Sequence, residues 1–169
     1  MTTQYDVKTA KIQGVGALVS GRCRLKQATV IGSGTAGYID FFDTLTAPTA
    51  ATYGRSGTTV TVTSTGHGLS TGNTVGIAYI AASGVAPVSG NYAVTVTDAN
   101  TFTITDLNSG TIATSTVCNY VPNKRWLMGI NTGTNVQPYQ VLIPGEGILC
   151  LNGVYANSSN ITSTQVTYG

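Results

Sequence analysis

Charged side chains are scarce in this sequence of 169 residues: only 8% are Asp, Glu, Lys or Arg, against a usual share of about 25%. The eight basic residues are spread along the chain, the net charge is +2, and there is one histidine. Nucleic-acid binding requires a denser basic stripe than this. A zinc site needs three or four protein ligands, which a lone histidine does not supply. We therefore expect no direct nucleic-acid contact, no metal and no cofactor.

Long apolar runs are missing as well. No stretch reaches the ~18 apolar residues of a membrane span, and the weak apolar run near the start is broken by glycines and lacks the pattern of a secretory signal. These features predict a chain made in a reducing cytoplasm, without membrane contact. The three cysteines, Cys23, Cys118 and Cys150, are odd in number and never form a Cys-x-x-Cys pair. They are predicted to be buried small hydrophobic residues.

Glycine and β-branched residues take the place of the missing charges. Short β-rich runs occupy residues 58–65, 74–80, 92–97 and 101–105. Alternation of threonine and valine predicts strands, the first two runs forming a hairpin or a closely related two-strand unit and the last two a second hairpin. Together they predict a small all-β module at residues 56–118. Its expected apolar face comprises Val60, Val62, Val75, Ile77, Val94, Val96, Phe102 and Ile104.

The flanking segments predict one further domain. Residues 14–55 contain two or three strand patterns, including an expected hairpin across the turn Gly32-Ser33-Gly34. Residues 119–169 contain roughly four, including one over residues 148–155. Neither side has enough strands for a stable sandwich, but the two combined have. We therefore expect an all-β fold in which a β-sandwich host domain, residues 14–55 and 119–169, is interrupted by an inserted small barrel-like module. Residues 1–13 are polar and predict an N-terminal arm that becomes ordered on a partner.

Two phrases inside the module carry a family resemblance. Residues 66–75 read Gly-His-Gly-Leu-Ser-Thr-Gly-Asn-Thr-Val, and residues 90–104 read Gly-Asn-Tyr-Ala-Val-Thr-Val-Thr-Asp-Ala-Asn-Thr-Phe-Thr-Ile. They resemble the small β-barrel repeat of bacteriophage virion proteins, which is similar to the first catalytic-cysteine half-domain of ubiquitin-activating enzymes. The resemblance implies a scaffold module without a catalytic residue. Residues 34–43 and 145–155 more loosely resemble phage capsid-decoration or tail-associated sandwich proteins.

Residues capable of catalysis are few and poorly placed. His67 lies between two glycines, which favours a role in shaping the turn over catalysis or metal binding. Asp40 and Asp43 are three apart on a predicted strand, so they point to opposite faces and do not form a glycosidase pair. Glu146 lies in a glycine-rich turn. No residue is expected to activate a nucleophile or a water, and we predict that the protein is not an enzyme.

Five residues are candidates for partner binding. Arg22, Arg24 and Lys26 have the spacing of one strand face, which predicts either a solvated face, with Cys23 and Leu25 turned inward, or a patch for an acidic partner. Two aromatic residues, Tyr38 and Trp126, are candidate anchors of an apolar interface, although either could belong to a core.

The predicted function is that of a phage virion structural protein, a capsid cement or decoration subunit. The expected partners are the major capsid protein or another virion protein and further copies of the chain, and the expected location is the virion. A tail or fibre component for host attachment is one alternative. A carbohydrate-binding module that recognises a host-surface glycan is another, because the chain has nine tyrosines and one tryptophan.

Overall fold

The computed structural model describes residues 7–80 and 84–169, none of which lies in a helix. The strands in chain order are β1 (Lys8–Ile12), β2 (Gly16–Ser20), β3 (Cys23–Gly32), β4 (Gly37–Phe42), β5 (Thr49–Thr63), β6 (Thr74–Tyr79), β7 (Gly90–Ala93), β8 (Thr95–Asp98), β9 (Thr101–Pro122), β10 (Trp126–Gly133), β11 (Pro138–Leu142), β12 (Ile148–Cys150), β13 (Gly153–Ser159) and β14 (Ile161–Tyr168). The fold is all-β, as the sequence predicts.

The chain divides into two compact units. The split unit consists of the chain up to Ala47 together with Leu127–Gly169, and the inserted unit is Pro48–Trp126. These boundaries differ from the predicted limits of the module at residues 56 and 118. The reason is that β5 already begins at Thr49 and β9 continues to Pro122, so the two strands pair beyond the predicted ends.

Two antiparallel sheets share one core in the split unit. The first has the order β1-β14-β3-β11, with β12 also paired to β3, and the second has the order β10-β4-β13-β2. Side chains of a strand alternate between its faces, and the inward ones of both sheets meet in a single cluster. The first sheet contributes Cys23, Leu25, Ala28, Val30, Cys150, Ile161 and Val166, and the second Val19, Ile39, Phe41, Ile130, Val154 and Ala156. The split unit is therefore a β-sandwich.

Two local predictions fail in this unit because turns carry the chain from one sheet to the other. The residues after Gly32 join β3 in the first sheet to β4 in the second, so the predicted hairpin does not form. The predicted strand over residues 148–155 is likewise divided into β12 and β13, which lie in different sheets. Gly37 permits the first crossing, because a Cβ atom there would lie 2.7 Å from the carbonyl oxygen of Asn160.

The predicted N-terminal arm is wrong for residues 8–12. They form β1, which pairs antiparallel with β14 from Lys8 opposite Tyr168 to Ile12 opposite Thr164. Ala10 and Ile12 pack against the core cluster of the split unit. The strand is ordered by this pairing within the chain. Residues 1–6 of the predicted arm lie outside the described residues.

The described residues of the inserted unit form one sheet of order β5-β9-β6-β7, with β8 also paired to β9. The hairpin predicted between residues 58–65 and 74–80 is wrong, since β5 pairs with β9. The second predicted hairpin is confirmed, with Val96 opposite Phe102. The predicted apolar face is confirmed too, because seven of its eight members are buried in one cluster and Val96 packs against it.

Candidate functional site

The basic residues predicted to share a strand face do not all lie within one strand. Arg22 lies in the turn before β3, and only Arg24 and Lys26 are within the strand. Cys23 and Leu25 are buried, as predicted for the opposite face. Arg24 Nη2 lies 3.0 Å from Glu146 Oε2, and exposed ion pairs of this kind contribute little to stability. The pairing of Arg24 reduces the positive charge that this face could offer to an acidic partner.

The two aromatic candidates lie in different units. Tyr38, in β4 of the split unit, is half-buried, and burial followed by the charge of Asp40 raises the pKa of its hydroxyl. Trp126, in the inserted unit, is also half-buried. The Asn91 side-chain amide donates to Trp126 O at 3.0 Å and accepts from Trp126 N at 2.8 Å. Both side chains are only partly exposed, and their role as interface anchors stays a prediction.

Strand β11 is an edge strand in which four of the five residues are exposed. It lies at an edge of the first sheet, where it pairs with β3 among the described residues. Tyr139 is 48% exposed and Leu142 is 71% exposed. Since neighbouring odd and even positions point to opposite faces of a strand, apolar surface is exposed on both faces of β11. The adjacent Val136 is 52% exposed as well.

This edge lacks the charge that commonly protects such a strand. Proteins commonly protect an edge strand with charged side chains, proline or a bulge, because its unpaired backbone groups can pair with another chain. From Trp126 to the last residue the sequence has a single charged side chain, Glu146, and none within β11. Pro138 protects only the start of the strand, where it removes one N–H donor. We refer to residues 136–142 as the uncharged edge, and it is the candidate interaction site.

Sequence reasoning missed the uncharged edge. Val136, Tyr139 and Leu142 occur in a segment that predicts an ordinary strand, and alternation alone does not distinguish an edge strand from a central one. The signal that was available is the lack of charge over residues 126–145, because one face of a solvated strand normally carries polar or charged residues.

Asp43 is one of several buried polar groups that stabilise the fold itself. Its Oδ1 and Oδ2 both accept from Leu151 N–H at 3.0 Å, and Oδ1 also accepts from Asn152 N–H at 2.7 Å. Backbone N–H groups that converge on a carboxylate satisfy its charge when it is buried. Asp43 therefore fixes the turn by which the chain passes from β12 to β13.

His67 has a structural environment in the inserted unit. Its Nδ1 accepts from Leu69 N–H at 3.0 Å, so the proton is on Nε2, which donates to Asp98 O at 3.0 Å. The ring also packs edge-on against Phe102, with 5.4 Å between centroids. The predicted role of His67 in shaping the turn agrees with these contacts.

Cys118 lacks the environment of a reactive thiol. Burial raises the pKa of its thiol to about 12, whereas a reactive cysteine needs a lowered pKa. Among the described residues, no group of three His, Cys, Asp or Glu side chains is arranged to hold a metal ion.

A shallow groove of about 570 Å³ lies in the inserted unit. It is lined by Thr49, Ala50, Ala51, Thr52, Thr63, Ser64, Thr65 and Val117. No aromatic or ionisable side chain is among them. Ligand sites normally combine an apolar or aromatic wall with a few placed polar groups, so this groove does not favour the glycan-binding alternative.

No protein-family model matches this sequence, and a search of curated proteins found no significant match. Within the described part of the chain there is also no helix with the length and apolar character required to cross a bilayer.

Proposed function

We propose that the chain is a structural subunit of a bacteriophage virion, a cement or decoration protein that binds the shell of major capsid proteins through the uncharged edge. It acts by binding and not by catalysis. The phage assignment comes from the resemblance carried by residues 66–75 and 90–104. The binding role has a separate basis in the described geometry.

The observation that carries the binding role is β11 itself. An edge strand without charge and with apolar side chains on both faces would be a site of uncontrolled aggregation unless a partner covered it. A strand of a neighbouring protein could pair with its backbone while Tyr139 and Leu142 pack against the partner. Such strand addition combines main-chain hydrogen bonds with apolar contact.

The surroundings of Asp43, His67 and Cys118 support a scaffold rather than an enzyme. Asp43 holds a turn and His67 bridges two loops, while the thiol of Cys118 is buried and its pKa is raised. Each group is thus engaged in maintaining the fold. A decoration protein requires this kind of rigidity, because its binding surface must be presented in a fixed geometry.

Copy number in purified particles tests the proposal. Quantitative mass spectrometry of the phage that encodes this chain should find the protein in hundreds of copies, as expected for a shell subunit. A small multiple of three or six would instead assign it to the tail, and absence from washed particles would refute a virion role.

Matched lysine substitutions test the uncharged edge. Leu142→Lys should leave folding unchanged, because the side chain is 71% exposed, but it should lower particle occupancy by about tenfold or more, since the lysine would be buried without a partner. Leu107→Lys is the control, because Leu107 is 94% exposed and lies in the inserted unit. Equal occupancy for the two variants would refute docking through β11.

Salt dependence separates apolar docking from docking through Arg22 and Lys26. Raising the ionic strength from about 0.1 to 1 M shortens the Debye length from ~10 to ~3 Å. Occupancy should remain nearly constant if β11 forms the contact. Release by high salt alone would transfer the binding role to the basic residues of the predicted patch.

A further inference from the structure

We propose that Cys23 and Cys150 form an intramolecular disulfide that joins β3 to β12 when the folded chain meets a small-molecule disulfide such as oxidised glutathione. The inference is independent of the proposed function. It concerns two residues that are far apart in the sequence and become direct neighbours in the first sheet of the split unit.

The sheet register places the two cysteines opposite each other. β12 pairs antiparallel with β3, with Ile148 opposite Leu25 and Cys150 opposite Cys23. Both side chains turn into the core cluster, where the Cys150 thiol donates to Ile148 O at 3.5 Å. Cys118, the remaining cysteine, lies in the inserted unit.

The Cα separation expected for this pair falls within the range of disulfides. Arg24 N–H donates to Gly169 O at 2.8 Å and Gly169 N–H donates to Arg24 O at 3.1 Å. Because successive residues of a strand direct their backbone groups to opposite sides, the groups of Cys23 point towards β12. Cys23 and Cys150 are therefore a hydrogen-bonded antiparallel pair, for which the Cα atoms are about 5.5 Å apart. Disulfides span Cα distances of roughly 4.4–6.8 Å.

The chemistry proceeds by two exchanges. The thiolate of Cys23, which is 6% exposed against 0% for Cys150, attacks the small disulfide, forms a mixed disulfide and releases one small thiol. Cys150 then loses its proton and attacks the Cys23 sulfur, which releases the second small thiol. Two protein thiols are oxidised and one small disulfide is reduced. Burial raises the pKa of Cys150 to about 12, so the reaction is slow at neutral pH.

The test uses the whole chain, incubated with oxidised glutathione and then quenched. The incubation is carried out both in buffer and at a denaturant concentration below the unfolding transition, where local opening exposes Cys150. We expect one titratable thiol per chain after oxidation, compared with three before it. Three titratable thiols under both conditions would overturn the proposal.

Peptide mapping identifies the linked residues. Trypsin cleaves after Lys and Arg, and the three cysteines fall in separate peptides: residues 23–24, 56–124 and 126–169. The expected product is residues 23–24 linked to residues 126–169, which a reductant separates. Linkage through residues 56–124, or linkage between chains, would overturn the assignment.

Thermal unfolding tests whether the bond fits the native geometry. Oxidation should raise the midpoint by roughly 5–15 °C in the wild type and in the control Cys118→Ser. It should have no effect on Cys23→Ser. A bond that forms and lowers the midpoint would show that the pair is strained and would refute the geometric argument.

Discussion

Neutralising Asp106 should destabilise the inserted unit more than any exposed charge change. Arg55 Nη2 lies 2.7 Å from Asp106 Oδ2, and both side chains are fully buried. Arg55 also donates from Nη1 to Val85 O at 2.9 Å. Asp106 Oδ1 accepts from Val88 N–H and from the Tyr92 hydroxyl, both at 3.3 Å. The ion pair thus ties residues 85–88 to β5 and β9.

The expected loss of stability follows from the buried charge that remains on Arg55. Asp106→Asn keeps the shape of the side chain but leaves the Arg55 guanidinium buried without a counter-charge, and breaking a buried pair in this way costs about 3–5 kcal/mol. With a urea m value of about 1–3 kcal/mol/M, the unfolding midpoint should fall by about 1 M or more. Urea titration followed by circular dichroism measures it.

Two further variants make the test specific. Glu146→Gln removes one partner of an exposed pair, since the Glu146 side chain is 81% exposed, and should change the midpoint little. The double variant Arg55→Met with Asp106→Leu should recover part of the loss, because no uncompensated charge remains. Recovery stays incomplete because Val85 O and Val88 N–H lose their partners. If Asp106→Asn costs no more than Glu146→Gln, the reasoning about the buried pair is refuted.

Three other predictions concern pH and chain truncation. Burial and the neighbouring Asp106 raise the pKa of Tyr92 to about 12, above the unfolded value of about 10. The unfolded state therefore loses this proton first, and stability should fall between about pH 10 and 12. Urea midpoints across this range should fall less steeply for Tyr92→Phe, and equal slopes would contradict the assignment. Replacing residues 48–126 by a short Gly-Ser linker should leave a cooperatively folding sandwich, because its core cluster lies within the split unit. The absence of an unfolding transition in calorimetry would show that the sandwich does not fold alone. Deleting residues 1–12 removes β1 and the core contacts of Ala10 and Ile12, so the midpoint should fall, and an unchanged midpoint would restore the idea of a free arm.

Side-chain alternation allowed much of the inserted unit to be predicted. The apolar face from Val60 to Ile104 is the buried cluster, because the period of two along a strand is a local property of the backbone. Burial of Cys23 and Leu25 followed from the same alternation. The bond between His67 and the N–H of Leu69 is also local, and the flanking glycines supply the positive φ angles of 61° and 64° that the turn requires.

The choice of pairing partner could not be read from these patterns. Many antiparallel partners satisfy the alternation of β5 equally well, and β9 is selected only when the whole sheet and its core form together. Contacts between residues far apart in the sequence also depend on which strands become neighbours. Arg55 meets Asp106 across 51 positions and Asp43 meets Asn152 across 109, and neither pair has a signal in sequence spacing.

The sequence by itself therefore determined the all-β class, the inward faces of the strands and the absence of a dense basic surface, since each depends on composition or on a local period. Only the tertiary structure decided which strands are neighbours and which one is left at an edge. The exposure of Leu142 on β11 and the pairing of Cys23 with Cys150 depend on that choice. The physical reason is that sheet order minimises the free energy of the whole chain, whereas alternation reflects the conformation of each residue.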